Sequence, residues 1–185
     1  MTKQAMSLVM RELCSYVTNA TRQPLPTHVA IKAKHHLADT LSWTTLGTLL
    51  MPGRKAVDYA RRQCGAAEVT VAGTDLITST VNEAFANGMN AHADETEDTH
   101  FPSCSHLRCG VVPAALAMAE KEARYGRVFL EVGMLGYDIG ARSTVAQGVD
   151  ETCKAGHSTY TFAPLVGEAV DAGASIEFSE QQVCG

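Results

Sequence analysis

The sequence predicts an all-α, multi-helix fold. Apolar residues recur at three- and four-residue spacing through most of the chain, the helical period. Pro and Gly clusters cut that pattern into segments of helix length. Only Glu68-Val-Thr-Val-Ala-Gly73 alternates as a strand does. With 185 residues, 45% hydrophobic and 19% charged, the chain can bury a core and is read as one helical domain, residues 1–185.

Met6, Val9, Leu13 and Val17 share a face and predict a first helix over about residues 4–19. Arg22-Gln-Pro-Leu-Pro26 ends it, and Thr27 is the expected cap of the next. Ala30, Ala33, Leu37 and Leu41 line one side of a long helix to about Leu50. Met51-Pro-Gly53 is expected to stop it, with a short helix over residues 54–64. The Glu68–Gly73 segment is expected to be extended, at most as an isolated strand. Thr78 or Ser79 caps a helix whose Val81, Ala84, Phe85, Gly88, Met89 and His92 lie on one face, expected to be the buried one.

Residues of about 95–106 hold carboxylates, Pro102 and several Ser, Thr and Cys residues, and predict an ordered loop. Val111–Arg124 and Phe129–Arg142 predict helices, with Pro113 tolerated in a first turn. Gly133, Gly136 and Gly140 allow close helix approach. A loop over about residues 147–157 leads to a helix from Ser158 to Ala174. Residues from Ser179 read as the first turn of another.

Net charge is −5 without a Lys/Arg block, which argues against nucleic acid or an anionic membrane surface as partner. No apolar run is long enough to span a bilayer. The N-terminal segment mixes charge with its apolar residues and reads as a mature amphipathic helix rather than a signal peptide. Cys14, Cys64, Cys104, Cys109, Cys153 and Cys184 are scattered without C-x-x-C pairs. They read as reduced thiols in a cytoplasmic compartment.

The stretch from Asn87 to Glu120 concentrates chemistry. It holds His92, His100 and His106, the carboxylates Asp94, Glu95, Glu97 and Asp98, and the thiols Cys104 and Cys109. Such a polar knot between apolar helices must meet water, a ligand or itself. Several explanations stay open. The residue types suit a metal, although the spacing matches no helical His pair or zinc knuckle. A solvated acidic loop needs no function. A Cys–His nucleophile would need an electropositive setting. An acid–base site uses imidazole and carboxylate to move protons near neutral pH. Downstream, Gly156-His157-Ser-Thr-Tyr-Thr-Phe162 places a histidine just before a helix start, either structural or the second group of such a site. There is no dinucleotide-binding G-x-G-x-x-G, no P-loop and no G-x-S-x-G elbow.

N-G-x-x-x-H-A-D-E-T-E-D-T-H, followed by S-H and V-V-P-A-A-L-A-M-A-E, resembles the signature of the MmgE/PrpD family. Gly136-Tyr-Asp-Ile-Gly-Ala-Arg142, the histidine segment ending at Phe162, and Leu37-Ala-Asp-Thr-Leu41 resemble further motifs of that family. The resemblance runs from about residue 25 to the end. It implies a lyase or isomerase acting on a small polycarboxylate by proton transfer, in dehydration, decarboxylation or epimerisation, without metal or organic cofactor.

The resemblance also implies a helical domain followed in the family by a second, α/β domain, of which this sequence matches only the first helical part. His106 and His157 match the proton-transferring histidines. Glu95, Thr99 and Asp98 match substrate-side positions, and His92 a supporting one. Departures are Glu95 for Asp, Leu107-Arg108 where Pro and a small residue are usual, and Glu168 and Asp171 at Ala positions. The family's lysine motif falls beyond Gly185. A homodimer is the expected assembly. Alternatives to the enzyme reading are a truncated non-catalytic relative that keeps the fold or a dimer surface, and a metal-binding helical module.

Overall fold

α1 (Leu8–Ala20) opens the computed structural model, which describes residues 7–96 and 98–184. The Ser7 hydroxyl caps it, accepting from the Met10 N–H at 3.2 Å. α2 (Thr27–Gly47) starts at Thr27 itself, with Pro26 in the cap position. The expected stop at Met51-Pro-Gly53 is instead the start of α3 (Met51–Arg62). A proline in the first turn removes an N–H that the helix does not use, so it begins a helix as readily as it ends one.

The expected lone strand has a partner. β1 (Val69–Thr70) pairs antiparallel with β2 (Ile77–Thr78) across a turn containing Gly73 at φ +74°. α4 (Thr80–His92) follows. The expected loop is a ribbon of β3 (Thr99–His100) and β4 (Ser105–His106), joined by a 3-10 turn at Phe101–Ser103. α5 (Arg108–Lys121), α6 (Gly126–Gln147), α7 (Val149–Lys154), α8 (Thr159–Ser175) and α9 (Glu180–Cys184) complete the order. α7 lies where a loop is expected. The described residues thus form nine α-helices and two small ribbons, and the all-α class holds.

α6 and α8 pack most extensively. Their approach is close because glycines face backbone. A Cβ on Gly140 would lie 2.5 Å from the Ala163 carbonyl oxygen, and one on Gly167 would lie 2.8 Å from that of Gly136. Val17, Leu135 and Ile139 form one buried cluster, and Leu107, Val111 and Ala163 another.

α4 is turned opposite to expectation. Val81 is 79% exposed, while Glu83, Ala86, Asn87, Asn90 and Ala91 are buried. Backbone demands explain the inversion. Asn87 Oδ1 accepts the Ala72 N–H at 3.0 Å, satisfying the β1–β2 turn, and Asn87 Nδ2 donates to Glu83 Oε1 at 2.5 Å. Gly47 and Gly53 admit Asn90 to the junction of α2, α3 and α4. The apolar face lines an open groove of about 780 Å³ against α5 and α8.

Cys14 is disulfide-bonded, which corrects the expectation that all six cysteines are reduced. Pairing depends on proximity in space, which spacing along the chain does not reveal. Cys64, Cys104, Cys109 and Cys153 are free. No helix of the described residues is long and apolar enough to cross a membrane.

Candidate functional site

The β3–β4 ribbon builds the site. Its register sets Thr99 directly opposite His106, so their side chains leave one face together. Thr99 Oγ1 lies 3.2 Å from His106 Nδ1, and the Asp98 carbonyl oxygen lies 3.4 Å from the same nitrogen. A carbonyl only accepts, so these contacts together favour the proton on Nδ1. Nε2 then keeps its lone pair, and the Thr99 hydroxyl hydrogen is free to point elsewhere.

α8 supports the ribbon from below. The His106 ring stacks on Tyr160, with centroids 4.7 Å apart and planes 25° apart. Thr159 Oγ1 donates to the Cys104 carbonyl at 2.6 Å. Cys104 sits at φ +44°, closing the 3-10 turn in the left-handed region. His157 therefore lies two residues before the point where α8 touches the ribbon. It is exposed, and its N–H donates to the Thr152 carbonyl at 3.1 Å.

The other expected site residues are placed as follows. Glu95 is exposed at φ +53°, a left-handed conformation uncommon for a non-glycine residue, with its N–H on the His92 carbonyl at 3.0 Å. The Asp98 carboxylate is turned toward the helices. Oδ2 accepts from Tyr137 OH at 2.9 Å and lies 3.4 Å from His36 Nδ1; Oδ1 accepts the Arg108 N–H at 3.4 Å. His92 is exposed, against the expectation that it lies on the buried side. His100 belongs to the turn: its Nδ1 is 2.7 Å from Ser103 Oγ, which is 2.6 Å from Ser105 Oγ. Glu97 lies outside the described residues.

Leu107 and Arg108 do not face the site. Both are buried, Leu107 with Val111 and Ala163, Arg108 against Asp39 and 3.4 Å from Thr96 Oγ1. The guanidinium thus pins the acidic segment to α2 and α5. Burial pushes the Cys109 thiol up to about 11, the wrong direction for a nucleophile at neutral pH. Among the described residues, no group of three His, Cys, Asp or Glu side chains is placed to hold a metal.

The motifs do not include His36, and they contain Tyr137 and Tyr160 without pointing to a role for either. Tyr137 stands inside the glycine segment of α6, where spacing suggests only packing. The available signal for His36 is its helical offset from Asp39 and Thr40, which brings these residues to one side of α2.

The fold is thus a helical scaffold carrying a histidine-centred polar ribbon between α4 and α5. The sequence model of the MmgE/PrpD N-terminal domain matches residues 11–184, and the chain belongs to the MmgE/PrpD family. It is also similar to the cis-aconitate decarboxylase-like protein oryM of Aspergillus oryzae (strain ATCC 42149 / RIB 40). The two are 26% identical over 175 residues, which cover 90% of this chain and 36% of that protein.

Proposed function

We propose that this chain carries the histidine-bearing part of a lyase or isomerase site for a small polycarboxylate. The Thr99–His106 pair, oriented at Nδ1 and stacked on Tyr160, is the observation that carries the reading. Removing a proton beside a carboxylate breaks a C–H bond and moves its electron pair onto the carboxylate oxygens. Nε2 of His106 takes that proton, and the Thr99 hydroxyl donates to the developing charge. His157 serves as the second proton-transferring group, returning a proton or protonating a leaving group. Glu95 and Asp98 border the substrate, Asp98 through its main chain and its hold on the segment. Decarboxylation uses the same groups in the other direction. The C–C bond to a carboxylate breaks, CO2 leaves, the electron pair stays on the carbon beside a second carboxylate, and protonated His106 supplies the proton. The oryM protein's name favours this outcome over dehydration or epimerisation. The domain spans residues 1–185, works without a cofactor in the cytoplasm, and pairs as a homodimer. Neither nucleic acid nor membrane is a partner.

The test is proton exchange. The purified chain is incubated in D2O with cis-aconitate, 2-methylcitrate or iminodisuccinate and followed by proton NMR, beside His106→Ala and His157→Ala. Exchange that falls about 10²-fold or more in the variants supports the reading. Light scattering on the same sample checks the dimer.

One observation favours a second reading, a non-catalytic module that keeps the fold. Arg108, the cation nearest His106 in sequence, is committed to Asp39 and does not face a substrate. Under that reading the wild-type chain binds these acids weakly or not at all and shows no exchange.

A further inference from the structure

Three side chains from distant parts of the chain meet at one carboxylate. His36 comes from α2, Asp98 from the acidic segment and Tyr137 from α6. Tyr137 OH donates to Asp98 Oδ2 at 2.9 Å, and His36 Nδ1 lies 3.4 Å from the same oxygen. The His36 and Tyr137 rings are 5.9 Å apart and tilted by 44°. Asp98 is 22% exposed at its side chain, and His36 45%.

A carboxylate accepts and cannot donate when ionised, so His36 holds this contact with its proton on Nδ1. Nε2 is then the free, basic nitrogen, on a ring nearly half open to solvent. Tyr137 does not compete for the proton. Burial first, then the Asp98 charge, holds its hydroxyl well above the usual range, so it stays a donor. The same residue orients His106, whose Nδ1 lies 3.4 Å from the Asp98 carbonyl. Two imidazoles thus hang on one residue, His36 on its side chain and His106 on its main chain. Each is held by Nδ1 and each keeps Nε2 free.

A purely structural clasp is a poorer account. Tyr137 already fastens Asp98 to α6, and Arg108 already ties α5 to α2 through Asp39. A half-exposed imidazole adds little to either.

From this juxtaposition we infer that His36 is a further proton-transfer group of the His106 site, with Asp98 as its positioning residue and Tyr137 fastening Asp98 to α6. The inference rests on the polycarboxylate reading above. In the step, the substrate C–H bond breaks, its electron pair moves onto the adjoining carboxylate, His106 Nε2 takes the proton, and His36 Nε2 accepts it from His106 in turn through water. Asp98 stabilises the imidazolium until the proton passes to product or water.

The experiment uses the full chain, labelled with 15N at histidine, and tricarballylate as a non-reacting probe. At a pH of about 8.5, where ordinary imidazoles are neutral, His36 is expected in the Nδ1–H form. Asp98→Ala should return it to the Nε2–H form, and Tyr137→Phe should leave it unchanged. Tricarballylate should shift the His36 and His106 resonances together. A shift of His106 without His36 overturns the inference and leaves the polycarboxylate reading standing. No shift at either overturns both. An Nε2–H tautomer of His36 in the wild type also overturns the inference. If Asp98→Ala fails to fold, the wild-type tautomer and the probe shifts decide. Where the chain exchanges substrate protons, His36→Gln should lower that rate about 10²-fold while tricarballylate affinity changes less than about threefold. An unchanged rate overturns the inference.

Discussion

Thr99 and His106 meet because a two-residue ribbon sets them opposite one another, and the value of the pair lies in which atom carries the proton. The contact with the Asp98 carbonyl favours Nδ1, which leaves the Thr99 hydroxyl able to donate outward. Thr99→Val should therefore lower proton exchange about 10²-fold, the usual loss for one preorganised donor, while Thr99→Ser retains most of it. Exchange rates in D2O check this. Arg108 predicts a different response. It is buried while its partner Asp39 is half exposed, so Arg108→Ala should act on stability first, mainly through lost packing, by about 1–3 kcal/mol in urea unfolding. A variant that lost exchange yet kept wild-type stability would show that the guanidinium serves the chemistry instead.

At the scale of elements, the α6–α8 crossing depends on missing side chains. Gly140→Ala would drive a methyl to within 2.5 Å of the Ala163 carbonyl oxygen. It should destabilise by about 1–3 kcal/mol, as overpacking does. Gly126→Ala, with nothing within 4 Å of the added carbon, is the control and should be near neutral. Denaturant midpoints measure both. The helices themselves were legible, since period and breakers mark them. Their mutual orientation was not. α4 carries two usable faces, and the amphipathic rule selects the apolar one. The fold buries the other, because Asn87 satisfies the neighbouring backbone at Ala72 and Asn90 fits against Gly47 and Gly53. The 3-10 turn and α7 were illegible for a simpler reason: elements of three to six residues leave too short a pattern to count.

Across the whole molecule, the interior holds carboxyls that prefer to be neutral. Asp171 is fully buried against Gly136, and burial raises it well above its ordinary range, with the Glu168 charge adding to the effect. Glu83 is pushed up to about 8 by burial and by the Glu120 charge. Burial raises Glu168 as well. Each of these acids binds its proton more tightly folded than unfolded. Their favourable contribution is fully present below the unfolded value of about 4 and is lost as pH rises through the folded value. The melting temperature should therefore fall between about pH 4 and pH 8, by several degrees. Asp171→Asn and Glu83→Gln, neutral at every pH, should flatten that dependence. Thermal scans across this range test it, and a wild-type melting temperature that rises with pH would contradict it.

By itself the sequence determined the all-α class and the family, and it marked the segment where histidines, carboxylates and thiols concentrate. Helical period is a local property, and motif spacing survives without knowledge of neighbours. The family resemblance singled out His106 and Thr99, and the ribbon's register sets the two opposite one another. Tertiary structure alone decided that Arg108 turns inward and that Cys14 is disulfide-bonded. It also decided that the Asp98 carboxylate joins His36 to Tyr137. These contacts link residues dozens to more than a hundred positions apart. Their partners are chosen by how whole helices cross, and that depends on close backbone approach at glycines and on buried amides with hydrogen bonds to fill. The spaced glycines of α6 announce that a helix comes close but not which one, and the buried amides leave no trace in local spacing.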